Sequence, residues 1–348
     1  MNDQRITEAT STELDPDGDI LMTVISPSKA PAYISRTNQK RSQRIFKVSS
    51  RSLVLASSYF AATFGGFWGE QGTLNRDGLL EMAINDTDPD AFEILLLLMH
   101  GKTGHLPGRL DLDRLLEVTV LAGLYHCREI AAGPGRTWLA ILGRGRYGLH
   151  DIPKYIFLSW EYNRIDYFWN LTYHAKNYGP RPFDTLGLPI AQEIIEAINK
   201  PRDILITGIS RTFMWYRAEI IHDPTQMSCS KCAEKILDWL NRNLGILVAS
   251  VICPTPDNPG ASIDEIFRRL ALSESEWSRK WELKGRVGRG IYTSYRETCP
   301  GDCISLFKVG IRIQLPDWKK LLKGIRLGVV QNRIADGHFF AGFTLLEV

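Results

Sequence analysis

The sequence of 348 residues lacks a dominant charge, a rich cysteine content and any long hydrophobic run. Its 42 Lys and Arg stand against 39 Asp and Glu, a formal net charge of +3 with both signs interspersed, so no broad electrostatic footprint for nucleic acid is visible. The basic stretches "KRSQR" (40–44) and "GRGRYG" (143–148) are too short for an interaction tail and read as solvated loops. The longest apolar runs, "ILLLLM" and "LGILVASVIC", stop well short of the roughly 18 residues that span a bilayer. The opening "MNDQRITEATSTELDPDGD" has no apolar core of a secretory signal and is too acidic for a transit peptide. The expectation is therefore a disordered tail over residues 1–17 of a cytoplasmic or nuclear protein without a membrane anchor. In a reducing compartment the six cysteines do not form a disulfide framework, and the sequons at Asn85 and Asn170 carry no glycan.

Catalytic signatures are missing as well. There is no Gly-x-Ser-x-Gly elbow, no His-Glu-x-x-His and no Gly-x-Gly-x-x-Gly after a strand; "GRVGRG" (285–290) is a glycine-rich loop without that register. "LLLLMHGKTG" (95–104) ends on Gly-Lys-Thr, the closing triplet of a phosphate-binding loop, yet the position that should carry the first glycine is Leu96. Asp88-Pro89 reads as an N-cap followed by proline in the first turn, so a helix is expected over 89–99, with the triplet past its end. The seven histidines are scattered, and an isolated one such as His126 reads as a packed or surface residue. Enzymatic activity is not expected.

What is present is an ordinary globular composition, 44% hydrophobic and 23% charged with a mean hydropathy of -0.15, enough for about two domains with real cores. "DILMTVIS" from Asp19 and "RIFKVSS" (44–50) read as strands that can pair as an early hairpin. "RSLVLASSYFAATF" (51–64) places Leu53, Ala56, Tyr59, Phe60 and Phe64 near helical spacing, and "GLLEMAIND" (78–86) returns to strand character. The leucine helix follows, apolar on nearly every side, as a helix buried in a core would be. A further amphipathic helix carries Leu112, Leu115, Leu116, Thr119 and Ala122 on one stripe and ends near Tyr125-His126-Cys127. Strands first and helices after them predict an α+β domain.

The order and spacing of three pieces, "FKVSSRSLVLASSYFAATFGGFWGEQ", "INDTDPDAFEILLLLMHG" and "LLEVTVLAGLYHCREI", resemble the BTB/POZ domain in the form found in filamentous fungi. The resemblance covers residues 18–142. Ser49 is a departure from many animal relatives, which carry histidine there, although fungal forms often have serine. The resemblance implies a small β-sheet with surrounding helices and dimer or partner surfaces in place of a reaction centre. It implies self-association or docking on protein partners, with two roles in the wider superfamily: substrate adaptor of a cullin-type ubiquitin ligase, or dimerising module of a transcription regulator. The second role needs a DNA-reading element, and neither a paired Cys/His finger in a linker nor a basic helix is present, so adaptor or scaffold is preferred and direct nucleic-acid binding is not expected. Trp68-Gly69-Glu70 falls where cullin-binding relatives place a hydrophobic-x-acidic contact motif, which makes Trp68 and Glu70 candidate partner-binding residues; the alternative is a turn that only closes the fold.

Residues 143–348 are expected to be mainly helical. "KYIFLSWEYNRIDYFWNLT" (154–172), "GLPIAQEIIEAINKPRDILI" (187–206) and "CSKCAEKILDWLNRNLGIL" (229–247) follow the helical order of the same fungal proteins, more weakly. In the third, Ala233, Ile236, Leu237, Leu240 and Leu244 form the apolar face and Gly245 is a natural C-cap. "GASIDEIFRRLAL" (260–272) and "LPDWKKLLKGIR" (315–326) read as two more helices. The tryptophans mostly fall within such patterns, as Trp239 does beside Leu240, and read as core.

One cysteine constellation carries chemistry: Cys229-Ser-Lys-Cys232 with Cys299-Pro-Gly-Asp-Cys303. Two close thiolate pairs can complete the four ligands of a tetrahedral structural zinc. Three readings stay open: a shared zinc, unrelated thiols of which Cys229 and Cys232 open a helix, or a redox pair. Cys127 and Cys253 read as small core residues.

Overall fold

The structure is a computed structural model, and it describes residues 10–35, 42–65, 74–75, 78–143, 148–180, 182–222, 230–251, 262–266, 268, 283–287, 291–295 and 323. Of residues 10, 230–232, 246–251, 283–287 and 291–295 it describes the backbone alone. The chain divides into two compact units, Met1–Tyr167 with Thr185–Ile190, and Phe168–Asp184 with Ala191–Val348. It is an α+β chain, with a small mixed four-stranded sheet and helices first and a mainly helical region after. Among the described residues no helix is long and apolar enough to cross a membrane.

The sheet of the first unit holds β1 (Thr10–Glu13), β2 (Ile20–Ile25), β3 (Gln43–Val48) and β4 (Leu80–Ile84) in the order β1-β3-β2-β4. β2 and β3 pair antiparallel with Met22 opposite Phe46, the expected hairpin, while β1 joins β3 and β4 joins β2 in parallel. Alternation fixes the register: Ile20, Met22 and Val24 of β2 are buried with Phe46 and Val48 of β3, and a slip of one residue would turn all of them out. β1 corrects the expectation of a disordered tail for residues 10–17; residues 1–9 of that expected tail lie outside the described residues. Residues 10–13 are paired, Leu14 is buried, and Lys47 reaches both Glu13 and the Pro16 carbonyl. A polar segment can add to a sheet edge because the ladder is made by backbone groups, and a composition reading does not see that.

Around the sheet stand α1 (Ser50–Ala56), α2 (Ser58–Gly65), α3 (Pro89–Met99), α4 (Leu112–Leu124), α5 (Arg128–Leu142) and α6 (Ile152–Glu161). α3 is the leucine helix, and it is the centre of the core, with Ala91, Phe92, Leu95 and Leu96 fully buried. Asp88 caps its start by accepting from the amides of Asp90 and Ala91, and Pro89 occupies the first turn. At its end Gly101 has φ +66, and the amides of Gly101 and Lys102 close on the carbonyls of Leu98 and Leu97, a Schellman ending. The Gly-Lys-Thr triplet therefore follows a helix and passes into a single 3-10 turn, Thr103–His105. The expected helical stretch 51–64 is two helices. Ser57 is extended; its hydroxyl accepts from the Phe60 amide, capping α2, and donates to the Tyr125 carbonyl at 2.6 Å. α6 lies in the first unit, beyond the 18–142 span of the resemblance. Its Tyr162 hydroxyl is 2.6 Å from that of Thr119 in α4, and Glu161 accepts from Arg128 at the start of α5.

The second unit takes in the end of α7 (Ile165–Tyr178), α8 (Gln192–His222) and α9 (Ser230–Val251). α8 and α9 bury Leu205, Ile206, Ile209 and Phe213 against Ile236, Trp239 and Leu240, the apolar face expected for α9. Gly245 is not a C-cap: α9 continues to Val251. A glycine inside a helix costs only about 1 kcal/mol, which packing of the turns before it can offset. "GRVGRG" is likewise not all loop, since β5 (Leu283–Val287) pairs antiparallel with β6 (Ile291–Tyr295). Of the two remaining expected helices, residues 263–266 are helical and packed on the α8–α9 core, while 315–326 lies outside the described residues except for Lys323.

Candidate functional site

Trp68 and Glu70 lie outside the described residues, as do Cys229, Cys299, Cys303 and Cys253; Cys232 falls in the first turn of α9, where the backbone alone is described. The candidate partner-binding and zinc side chains thus all fall outside what the structure describes. Among the described residues no group of three or more His, Cys, Asp or Glu could hold a metal ion. Cys127 is buried as expected, and burial pushes its thiol up to about 12, so it is inert near neutral pH. His126 is an exposed residue at φ +52 in the turn that ends α4.

The feature that sequence reading missed is an exposed apolar face on the first unit. α1 buries Leu53 alone. The rest of "LVLA" has nowhere to go in a helix of seven residues that touches the core on one side. Leu55 is 79% exposed, Val54 37%, and Tyr59 of α2 is 41% exposed. The Tyr59 ring packs edge-on against Tyr125, whose preceding residue Leu124 is 57% exposed at the end of α4. Four large apolar side chains on adjoining helix ends thus face water, none of them charged. A short helix with three consecutive aliphatic residues was the sequence signal, since at most one in three or four can face a core.

This face has a fastened underside. The Ser50 amide and hydroxyl both donate to the Asp19 carboxylate, at 2.7 and 2.6 Å. The Ser49 amide donates to His100 Nε2 at 3.0 Å, while His100 Nδ1 lies 2.8 Å from the Leu96 carbonyl. A carbonyl can only accept and an amide N–H can only donate, so these partners fix the neutral imidazole with its proton on Nδ1. The residue before β2 and the C-cap of α3 therefore hold the start of α1 through one carboxylate and one imidazole.

A second polar cluster lies between α3, α4 and α6. Arg114 binds Asp88, Asp90 and Glu117, the last two at 3.0 and 3.2 Å, and Arg44 binds Glu93 at 2.5 Å. Lys154, only 3% exposed, reaches Asp113 at 3.3 Å, Asp151 at 3.5 Å and the Ser35 hydroxyl at 2.7 Å. The Ser35 amide donates to the other oxygen of Asp113 at 2.9 Å, so the segment after β2 is pinned over α4 and α6. These groups satisfy one another and act as pins. Among the exposed large apolar side chains of the first unit, which also include Leu74, Leu149 and Ile165, Val54, Leu55, Tyr59 and Leu124 lie on α1, α2 and the end of α4. Comparison of the sequence with protein-family models and with curated proteins finds no match to either.

Proposed function

We propose that the chain is a non-enzymatic protein–protein interaction module, its first unit a BTB/POZ-type domain that pairs with a second copy of itself through the α1–α2 face. The reading is supported by the sequence resemblance over 18–142 and is carried by the exposure of Val54, Leu55, Tyr59 and Leu124 together. Each large apolar side chain taken out of water contributes about 1.5–3 kcal/mol, and a two-fold pairing sets the same apolar residues of both copies against one another, with the exposed Arg51, one turn before Leu55 on α1, as their charged neighbour. The narrower role, an adaptor that also engages a cullin scaffold, rests on Trp68 and Glu70.

Light scattering during gel filtration tests the docking. The intact chain should run as a dimer, and Leu55→Asp should run as a monomer with unchanged melting, because that side chain is already 79% exposed; Tyr59→Asp should also run as a monomer but melt lower, because its ring packs on Phe60 and Tyr125. A wild type that is still monomeric at about 0.1 mM, where only association weaker than about 5.5 kcal/mol escapes, overturns the proposal. For the adaptor role, cullin recovered equally by wild type and by a folded Trp68→Ala, Glu70→Ala variant removes it.

A further inference from the structure

The contact between Ser49 and His100 joins the N-cap of α1 to the C-cap of α3, and both ring nitrogens are committed in one protonation state only. We infer that His100 is an acid-sensitive fastener: adding a proton to its Nε2 breaks the bond from Ser49, leaves the start of α1 to the Asp19 carboxylate on Ser50, and loosens the docking face that α1 and α2 present. This deepens the docking proposed above and rests on it for its consequence, although the fastener itself does not.

The proton balance is simple. Neutral His100 accepts the Ser49 N–H at Nε2; protonated, it turns an N–H toward that same N–H, and two donors face each other with no acceptor between them. Nδ1–H keeps its bond to the Leu96 carbonyl in either state, so the ring stays on α3 and the strain falls on Ser49. Ser49 is also the residue whose hydroxyl accepts from Ser52 and whose carbonyl accepts from Leu53, which ties its position to the whole of α1. Leu53 is the only buried residue of that helix, so once the Ser49 bond is lost α1 rests on Leu53 and on the Asp19 carboxylate that holds Ser50.

The charged groups around the ring act in both directions. Burial lowers the imidazole below its usual value; the Leu96 carbonyl and Asp15 pull it up, and Lys102 pushes it further down. Asp19 stands one residue along, holding Ser50. For a histidine kept neutral by the fold, the linked stability is fully present above the unfolded value of 6.5 and is lost as pH falls through the lower folded value. The fastener is closed at neutral pH and opens in acid.

The test uses the intact chain, with the Ser49 amide and the His100 ring followed by NMR and the dimer fraction by light scattering, from about pH 7.5 to about pH 5. The Ser49 amide proton should move upfield with the midpoint of the His100 ring, below 6.5, and the dimer fraction should fall several-fold over the same interval. His100→Gln places a side-chain oxygen where Nε2 accepts and cannot titrate there, so its dimer should persist in acid. A Ser49 signal that ignores the His100 midpoint overturns the inference, as does a folded His100→Gln dimer that dissociates at the same pH as wild type. A wild type that never dimerises counts against the docking alone, and the Ser49 signal then decides the fastener by itself.

Discussion

The ring of Tyr162 lies against the α-carbon of Gly135, so close that a methyl group on that carbon would fall inside the ring's van der Waals envelope. Tyr162 cannot step aside cheaply, since it is buried, its hydroxyl is bonded to Thr119 at 2.6 Å and its carbonyl accepts from Arg136 at 3.1 Å. Gly133 lies two residues earlier in the same helix, with nothing within 4 Å of the position its Cβ would take. The two glycines therefore respond oppositely. Gly133→Ala gains about 1 kcal/mol of helix propensity and should raise the melting temperature by a few degrees. Gly135→Ala gains the same propensity but meets an overpacking cost of about 1–3 kcal/mol, at its upper end against a fixed ring, and should lower it. Thermal melts of the two variants decide it; a stabilised Gly135→Ala would mean that the α5–α6 contact is looser than described.

The core elements were legible where one periodic signal ran unopposed. Asp88-Pro89 and the leucines gave α3 to the residue, and alternation gave β2 and β3, because capping chemistry and burial are both written locally. α5 was not read at all, since Gly133-Pro134-Gly135 imitates a loop; it is held as a helix by the burial of Ala131, Trp138 and Leu139, with Trp138 donating to the Pro107 carbonyl at 2.8 Å. β1 was missed because its pairing is backbone to backbone. The split at Ser57 depends on a hydroxyl meeting a carbonyl 68 residues away, which no window of sequence contains. The exposed face was missed because exposure is set by what does not pack on Val54 and Leu55, while His100 was visible as part of a helix ending but not as the partner of Ser49.

Lys154 and Asp113 form a buried ion pair that also holds Ser35 by its amide and its hydroxyl. Removing one charge should cost far more than removing both. Lys154→Met leaves the Asp113 carboxylate buried without its ammonium and should destabilise the first unit by about 3–5 kcal/mol, whereas Lys154→Met with Asp113→Leu should recover most of the loss. Proteolysis supplies a second readout. The single variant should be nicked between Ser26 and Ser42, where the segment after β2 has lost its pins. Equal stability of the single and double variants would show that the pair is not coupled.

The four cysteines make three distinguishable predictions. A zinc shared by Cys229, Cys232, Cys299 and Cys303 gives about one equivalent of metal in protein purified without chelator, falling in both Cys229→Ser and Cys303→Ser. Unrelated thiols give no metal and free alkylation of the folded chain. A redox pair gives a reducible Cys229–Cys232 disulfide and no metal. Metal analysis with thiol counting on one sample separates them. The first unit contains none of the four, so its melting should not respond to a chelator under any of the three.

Lys176 of α7 is buried to 6% exposure, with its ammonium donating to the Lys323 carbonyl at 2.7 Å, and burial lowers it from 10.5 to about 8. A neutral amine still has two N–H groups, so the bond to the carbonyl survives loss of the proton. The sign of the linkage follows. Below about 8 the folded and unfolded chains both carry the proton; between about 8 and 10.5 the unfolded chain alone carries it, and folding is favoured increasingly as pH rises. The stability linked to this group is thus fully present above 10.5 and is lost as pH falls through about 8, so at neutral pH Lys176 is held charged at a cost. Lys176→Met removes both the cost and the hydrogen bond. Denaturant unfolding of the wild type and of Lys176→Met at about pH 7 and about pH 9.5 should show the difference between them shifting in favour of the wild type at the higher pH, because only the wild type sheds a proton on folding there. A difference that stays constant across that interval would place the Lys176 amine in contact with water, and the tie from α7 to Lys323 would then be a surface contact with no linked stability.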